Sequence, residues 1–442
     1  MPRFFQKCGQ LLKLFIMKKY FYLPLSVAFV LLSGSFFMGC VKDTCHKTYT
    51  YTYYAPVYKT KEEVKVNIKS NPAKEVQNPG KLFTLGNYIF LNEVDKGIHI
   101  INNSSPASPQ NVAFIDIPGN MDLAVKGNIL YADAYTDLVT IDITDPLNVI
   151  VKKYNEGVFP FRSYGNGFIA AQGETIVDWL KRDTTITETC SDNTWLMTDQ
   201  SVYYLASANS QGTGATKASV SPIGQGGSMA RFALIDNYLY TVSDYDLNVF
   251  NITNSIVPTF AGTVHVDWHV ETIYPFKNKL FVGSNNGMFI YNVESSPANP
   301  AKMGEFTHVR ACDPVIADDN FAYVTLHSGT DCLGYNNQLD VVQLNDLTNS
   351  ELAKTYSMTS PHGLSKDGDL LFICDGTDGL KVYDASDVMN LKLVKKISNL
   401  ETYDVIANGN VALVVASDGL YQYDYSNINN IHLLSKLSIT KQ

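Results

Sequence analysis

A short motif recurs along most of the 442-residue chain, and a fixed period of roughly 20 to 50 residues restricts a fold to a solenoid, a propeller or an array. The clearest copies pair a Gly/Asn turn and an apolar strand with a second apolar strand that ends in an acidic or amide residue. They are Gly127-Asn128-Ile129-Leu130-Tyr131 with Leu138-Val139-Thr140-Ile141-Asp142, Gly368 to Phe372 with Leu380 to Asp384, and Gly409 to Leu413 with Leu420 to Asp424. Looser copies start at Gly86-Asn87, Asp236-Asn237, Lys277-Asn278 and Asp319-Asn320, and a degenerate one joins Asn166-Gly167 to Ile176-Val177-Asp178. The second strand ends at 102, 142, 178, 251, 292, 343, 384 and 424, in steps of 40, 36, 73, 41, 51, 41 and 40.

Each unit reads as four short strands divided by Gly, Asn, Asp, Ser and Pro, as in Thr272 to Phe276, Leu280 to Gly283, Met288 to Asn292 and Ala301 to Phe306. Four strands in about 40 residues match a propeller blade, whose neighbours bury the faces that one blade cannot. The expectation is an all-β, eight-bladed β-propeller of four-stranded antiparallel blades over residues 81–440, with an insertion at about 180–228. Seven blades plus a partial unit is the alternative. The ring closes either end to end or through an added edge strand from Tyr49 to Lys61.

Composition agrees. Charged residues make up 17% of the chain, against about 25% in ordinary domains, because blade packing leaves few solvated strand faces. The 27 Tyr and 22 Phe suit pleated, half-buried surfaces. A formal charge of -9 offers no broad basic surface for nucleic acid.

The turn after the third strand carries a family resemblance: Asp142-Ile143-Thr144-Asp145-Pro146, Asp384-Ala385-Ser386-Asp387 and Asn251-Ile252-Thr253-Asn254. With the preceding strands these resemble the LVIVD repeat family, cell-surface β-propeller repeats of bacteria and archaea, over about Lys81 to Ile439. The resemblance implies architecture and is nearly silent on activity. The strand-ending Asp or Asn has a local role in any case, since its side chain caps the following turn.

The first 39 residues read as an export signal. Lys18-Lys19 follow Met17, the expected true start, and an apolar stretch from Tyr20 runs to Phe37-Met38-Gly39-Cys40. This resembles a bacterial lipoprotein signal, which implies cleavage before Cys40 and lipidation of that residue; an uncleaved membrane helix is the alternative. Residues 40–80 read as a lipid-anchored stalk. Val41 is not the acidic residue that favours inner-membrane retention in such lipoproteins, so the expected location is the outer membrane, on its surface or periplasmic face.

In that oxidising setting disulfides persist. A Cys312–Cys332 bridge would pin the long loop of the sixth unit, Cys374 reads as a small core residue, and the pairing of Cys45 and Cys190 stays open. No cysteine or histidine has metal-ligand spacing, and no cofactor is expected. The residues that open the innermost strands converge at the mouth of a propeller's axial channel. Here these are Lys81, Asp122, Arg162, Arg231, Glu271, Asp313, His362 and Asp404, with Trp268, His269, His308, Arg310 and Tyr403 nearby. They form a candidate polar ligand site. Trp195, Tyr203 and Tyr204 in the insertion are candidate contacts for a sugar or peptide. Nucleophile elbow, metalloprotease, phosphate-loop and dinucleotide motifs are all missing, so no catalytic residue is assigned. The reading is a membrane-anchored, non-enzymatic binding module for a protein or glycan. The alternative is an extracellular glycan-active hydrolase or lyase working in the axial funnel.

Overall fold

The computed structural model describes residues 46–159, 170, 173–189, 223–267, 269–308, 314–328 and 336–440. Two units are distinguished, one of residues 1–55 with 181–204 and a larger one of residues 56–180 with 205–442. The larger unit is a β-propeller of four-stranded antiparallel blades. Blade 1 shows the pattern from axis to rim: Pro79–Leu85, Tyr88–Glu93, Gly97–Asn102 and Gln110–Asp116. Blades 2 to 7 repeat it at 123–155, 232–265, 270–307, 315–357, 364–397 and 402–438.

Seven of the eight motif copies are blades. Their third strands end at Asn102, Asp142, Asn251, Asn292, Gln343, Asp384 and Asp424, at the positions that the repeat marks. The eighth copy is not a blade. Ile176-Val177-Asp178 belongs to the strand Glu174–Thr189, which among the described residues pairs only with His46–Thr60 in a two-stranded sheet. A blade strand must be apolar on both faces, as Leu138, Val139 and Ile141 are, each with no exposed surface. The run Asp178-Trp179-Leu180-Lys181-Arg182-Asp183 offers no such face, and most of it is exposed. The eight-bladed expectation is therefore corrected to seven. The stretch read as stalk contains that long strand, then a short helix at Lys61–Lys65 with a Thr60/Glu63 capping box, and the strand Lys69–Pro72.

The repeat encodes one local device. In every blade the second residue of the first hairpin turn accepts the backbone N–H that follows the third strand: Asn87 from Asn103 (2.7 Å), Asn128 from Ile143 (2.9 Å), Asn237 from Ile252 (2.8 Å), and likewise Asn278, Asn320, Asp369 and Asn410. The first turn residue is left-handed in six blades, which explains Gly at 86, 127, 368 and 409. The strand-ending side chain then caps its turn, as Asp142 Oδ1 does by accepting from Thr144 N at 3.0 Å and Thr144 Oγ1 at 2.6 Å. Five other blades repeat the backbone bond; blade 5 ends in Gln343 and uses Asp346 instead.

Apolar layers between blades form the core. The ring closes end to end, with blades 7 and 1 packed through Leu82, Ile89, Leu91, Ile406, Leu413 and Leu420. Val76, in the arm that leads into blade 1, bridges Ile439 beyond the last strand and accepts from Thr440 N at 2.9 Å. The added edge strand of blade 1 is Lys69–Pro72, on Gln110–Asp116, and not Tyr49 to Lys61. No helix among the described residues is long and apolar enough to cross a membrane.

Candidate functional site

The start of each innermost strand faces the axis, and the repeat register places charges there. Lys81 of blade 1 is ringed by protein yet keeps some solvent contact, and it feels Asp122 of blade 2, Arg231 of blade 3, Glu271 of blade 4 and Asp404 of blade 7. Burial pushes the Lys81 ammonium down and the Asp122 carboxyl up, and their mutual attraction offsets only part of this. Burial also raises Asp404, to about 7, against the pull of Lys81. Arg231, Glu271 and Asp404 are thus brought together as the register implies.

The axial channel is not simply a water-filled bore. Residues 223–228, at the end of the Gly-rich part of the insertion, run inside the ring against four innermost strands. Gln225–Gly226 pairs with Phe83 and Thr84 of blade 1. Ile223 bridges Lys126 of blade 2, and Gly224 N donates to Val125 O at 3.1 Å. Asn408 of blade 7 donates to Gln225 Oε1 (3.3 Å), and Ser228 Oγ accepts from Leu364 N of blade 6 at 2.8 Å. Glycine is required for this fit: a Cβ on Gly227 would lie 2.0 Å from Asp404 Oδ2, and one on Gly224 2.2 Å from the Phe83 ring.

Beside this plug, at the mouth between blades 1, 2 and 3, is a cavity of about 280 Å³ lined by Met121, Asp122, Asp133, Tyr135, Arg231 and Tyr245, among others. A buried relay builds its wall. Asn92 Nδ2 donates to Asn120 Oδ1 (2.7 Å), and Asn120 Nδ2 donates to Asp133 Oδ1 (2.8 Å), which also accepts from Met121 N and Asp122 N at 2.8 Å each. Asp122 in turn accepts from Leu123 N (2.6 Å) and from Arg231 N. Burial raises Asp133 to about 6, these hydrogen bonds notwithstanding. The Arg231 guanidinium is anchored on Val242 O at 3.1 Å.

A larger cavity of about 840 Å³ flanks blade 1 beneath the lead-in arm. Several of its polar groups are engaged with one another, as in His99 Nε2 to Glu93 Oε2 at 3.0 Å and Lys74 to Asp116 at 2.7 Å. The mouth cavity is the better candidate.

The other expected site residues fall elsewhere. His362 packs on His327 (ring centroids 4.6 Å apart) and Tyr403 (6.0 Å), and burial lowers its pKa. His269 and His308 both belong to blade 4, where His269 O accepts from Asn285 N and His308 N donates to Asn286 O. Cys374 is a buried free thiol. Cys40, Cys45, Cys190, Cys312, Cys332, Arg162, Trp195, Tyr203, Tyr204, Trp268, Arg310 and Asp313 lie outside the described residues. Among the described residues no group of three His, Cys, Asp or Glu is arranged to hold a metal. Sequence reasoning missed Asp133, Tyr135 and Tyr245, which sit on the second hairpin of their blades, where the repeat sets no pattern. It also missed the plug, although the run Gly224-Gln225-Gly226-Gly227 marks a backbone that must pass close to something.

No family model matches the chain and no curated protein sequence matches it. Solved structures do. A putative 6-phosphogluconolactonase from Bacteroides fragilis is 10% identical at a TM-score of 0.52, over 85% of this chain and 96% of that one. The computationally designed Ika8 protein is 10% identical at 0.50, over 84% and 91%. At such identities the likeness shows the propeller fold alone.

Proposed function

We propose that the chain is a membrane-anchored propeller lipoprotein of LVIVD-repeat type that binds a small ligand, or the end of a larger one, at the mouth of its axial channel, without turning it over. The observation that carries the binding reading is how the two buried carboxylates of the mouth cavity, Asp122 and Asp133, are used; Asp95 and Asp244 also line it. Both oxygens of Asp122 accept backbone N–H groups, and Asp133 Oδ1 accepts three donors. A general acid or base needs a carboxyl within reach of substrate and able to release its proton; these are pinned in the frame of the site. The enzyme reading draws on the raised Asp133 and Asp404, whose proton affinities lie near neutrality.

A glycan and peptide array probed with detergent-solubilised full-length protein tests the site. Arg231→Ala is expected to weaken retention of whatever ligand the wild type holds by about tenfold or more, while Lys396→Ala, on an outer strand, leaves it unchanged. Equal retention by the two variants, or release of cleaved ligand by the wild type, refutes the reading. For the anchor, the expected outcome is incorporation of a palmitate label that Cys40→Ser abolishes; labelling that survives the substitution removes the lipid from Cys40.

A further inference from the structure

Tyr135 joins Asp133 at the mouth cavity through a backbone that aromatic residues avoid. It sits at φ 58° on the second hairpin of blade 2, a left-handed conformation that is a genuine outlier for a bulky side chain and belongs to strain found at ligand sites. The conformation lays the ring against Gly119, where a Cβ would fall 2.5 Å from the ring carbons. Gly119 is itself left-handed at φ 77°. Two irregular backbones thus meet to place one flat ring in the cavity wall. On blade 3 the corresponding hairpin carries Asp244-Tyr245, and both residues line the same cavity, with Tyr245 6.5 Å from the His269 ring.

Resting on the proposed binding role, we propose that this cavity is a saccharide subsite for one sugar ring at the end of a glycan, with Tyr135 as its stacking platform and Arg231 and Asp244 as partners for its hydroxyl groups. The chemistry fits on three counts. A pyranose has an apolar C–H face, which the negative face of an aromatic ring attracts, and a rim of hydroxyl groups that both donate and accept. The wall supplies that combination, with the Arg231 guanidinium to donate and the Asp244 carboxyl oxygens to accept. A volume of about 280 Å³ sits at the small end of ligand pockets, which suits one ring better than a chain. The Arg231 guanidinium stands in the same lining as the aspartates, so an uncharged ligand is favoured over a simple cation.

Detergent-solubilised full-length protein on an array of mono- and oligosaccharides, with peptides and amines on the same surface, provides the test. Tyr135→Phe and Tyr135→Trp keep a flat ring and are expected to stay within about threefold of wild type, whereas Tyr135→Leu, apolar but not flat, loses about tenfold or more. Tyr135→Gly relieves the left-handed backbone, so it is expected to lose binding with a melting temperature no lower than that of Tyr135→Leu. Saccharide retention by Tyr135→Leu equal to wild type overturns the platform, and a wild type that retains no saccharide overturns the ligand class. Retention of a peptide or amine that depends on Arg231 but not on Tyr135 overturns this proposal while leaving the binding site at the mouth in place.

Discussion

Asp404 carries the most consequential single carboxyl in the ring. It is 3% exposed, its Oδ1 accepts from Val405 N at 2.9 Å, and its Oδ2 has no hydrogen-bond partner. Gly227 and Gly363 leave room for it, since a Cβ on either would lie within 2.2 Å of a carboxylate oxygen. The folded chain holds the Asp404 proton to about 7, against 3.8 when unfolded. Between those values the native state binds more protons than the unfolded one, so this group lowers stability as pH rises from about 4 to 7 and adds nothing further above. The turn acids act oppositely: Asp142, held near 2 chiefly by the Thr144 hydroxyl, contributes stability above about pH 4 that is lost as pH falls toward 2. Asp404→Asn keeps the acceptor for Val405 and cannot ionise. It is expected to raise the melting temperature at pH 8 and not at pH 4, the gain bounded at about 4 kcal/mol. Melting curves at the two pH values decide; a difference that does not depend on pH refutes the assignment.

The plug shows why some elements are readable in a sequence and others are not. Third-strand ends were legible because six of the seven obey the same local rule, an Asx cap that needs Asp or Asn at one place, with Gln343 of blade 5 the exception. The false eighth copy spelled the motif at Ile176-Val177-Asp178 but lacked the apolar faces that packing between blades demands, a property of the whole strand rather than of three residues. Arg231, Glu271 and Asp404 were legible for the same reason as the strand ends, since the period fixes where inner strands begin. Residues 223–228 obey no period: Gln225 pairs with Thr84, far back along the chain, and only the ring as a whole creates the slot. Its glycines nevertheless make a testable demand. A methyl on Gly224 would meet the Thr84 carbonyl oxygen at 2.5 Å as well as the Phe83 ring, and backbone cannot yield as a flexible side chain does. Gly224→Ala is expected to destabilise by about 1–3 kcal/mol. Gly157→Ala, with open space around its Cβ but φ 66°, costs only the left-handed backbone, about 1 kcal/mol. Urea titrations compare them; a smaller loss for Gly224→Ala than for Gly157→Ala removes the plug as a packed element.

At the scale of the whole ring, closure is the step that a linear array of blades does not need. Many rings could be locked by a strand shared between first and last blades, but here blades 1 and 7 each take their four strands from one continuous stretch of chain. What fastens them is side-chain packing and a few bonds: Gln422 Nε2 to Asn103 Oδ1 (2.7 Å), Ser435 Oγ to Pro106 O (2.6 Å), and the Val76 to Ile439 bridge. Val76 is 2% exposed within the apolar layer of that seam. It comes from the arm that precedes blade 1, so part of the fastening lies in the segment that sequence reading assigned to a stalk. A charge placed there must either enter the seam unpaired or pull the arm away, and burial of an unpaired carboxylate is among the costliest single changes. Val76→Asp is therefore expected to lose at least about 3 kcal/mol, and Val76→Ile to stay within about 1.5 kcal/mol. Hydrogen exchange distinguishes local from global damage. If the seam closes the ring, Val76→Asp speeds exchange in blades 1 and 7 together, although they lie at opposite ends of the propeller sequence, before it does so in blade 4. Faster exchange confined to the arm itself would mean that the ring stays shut without it.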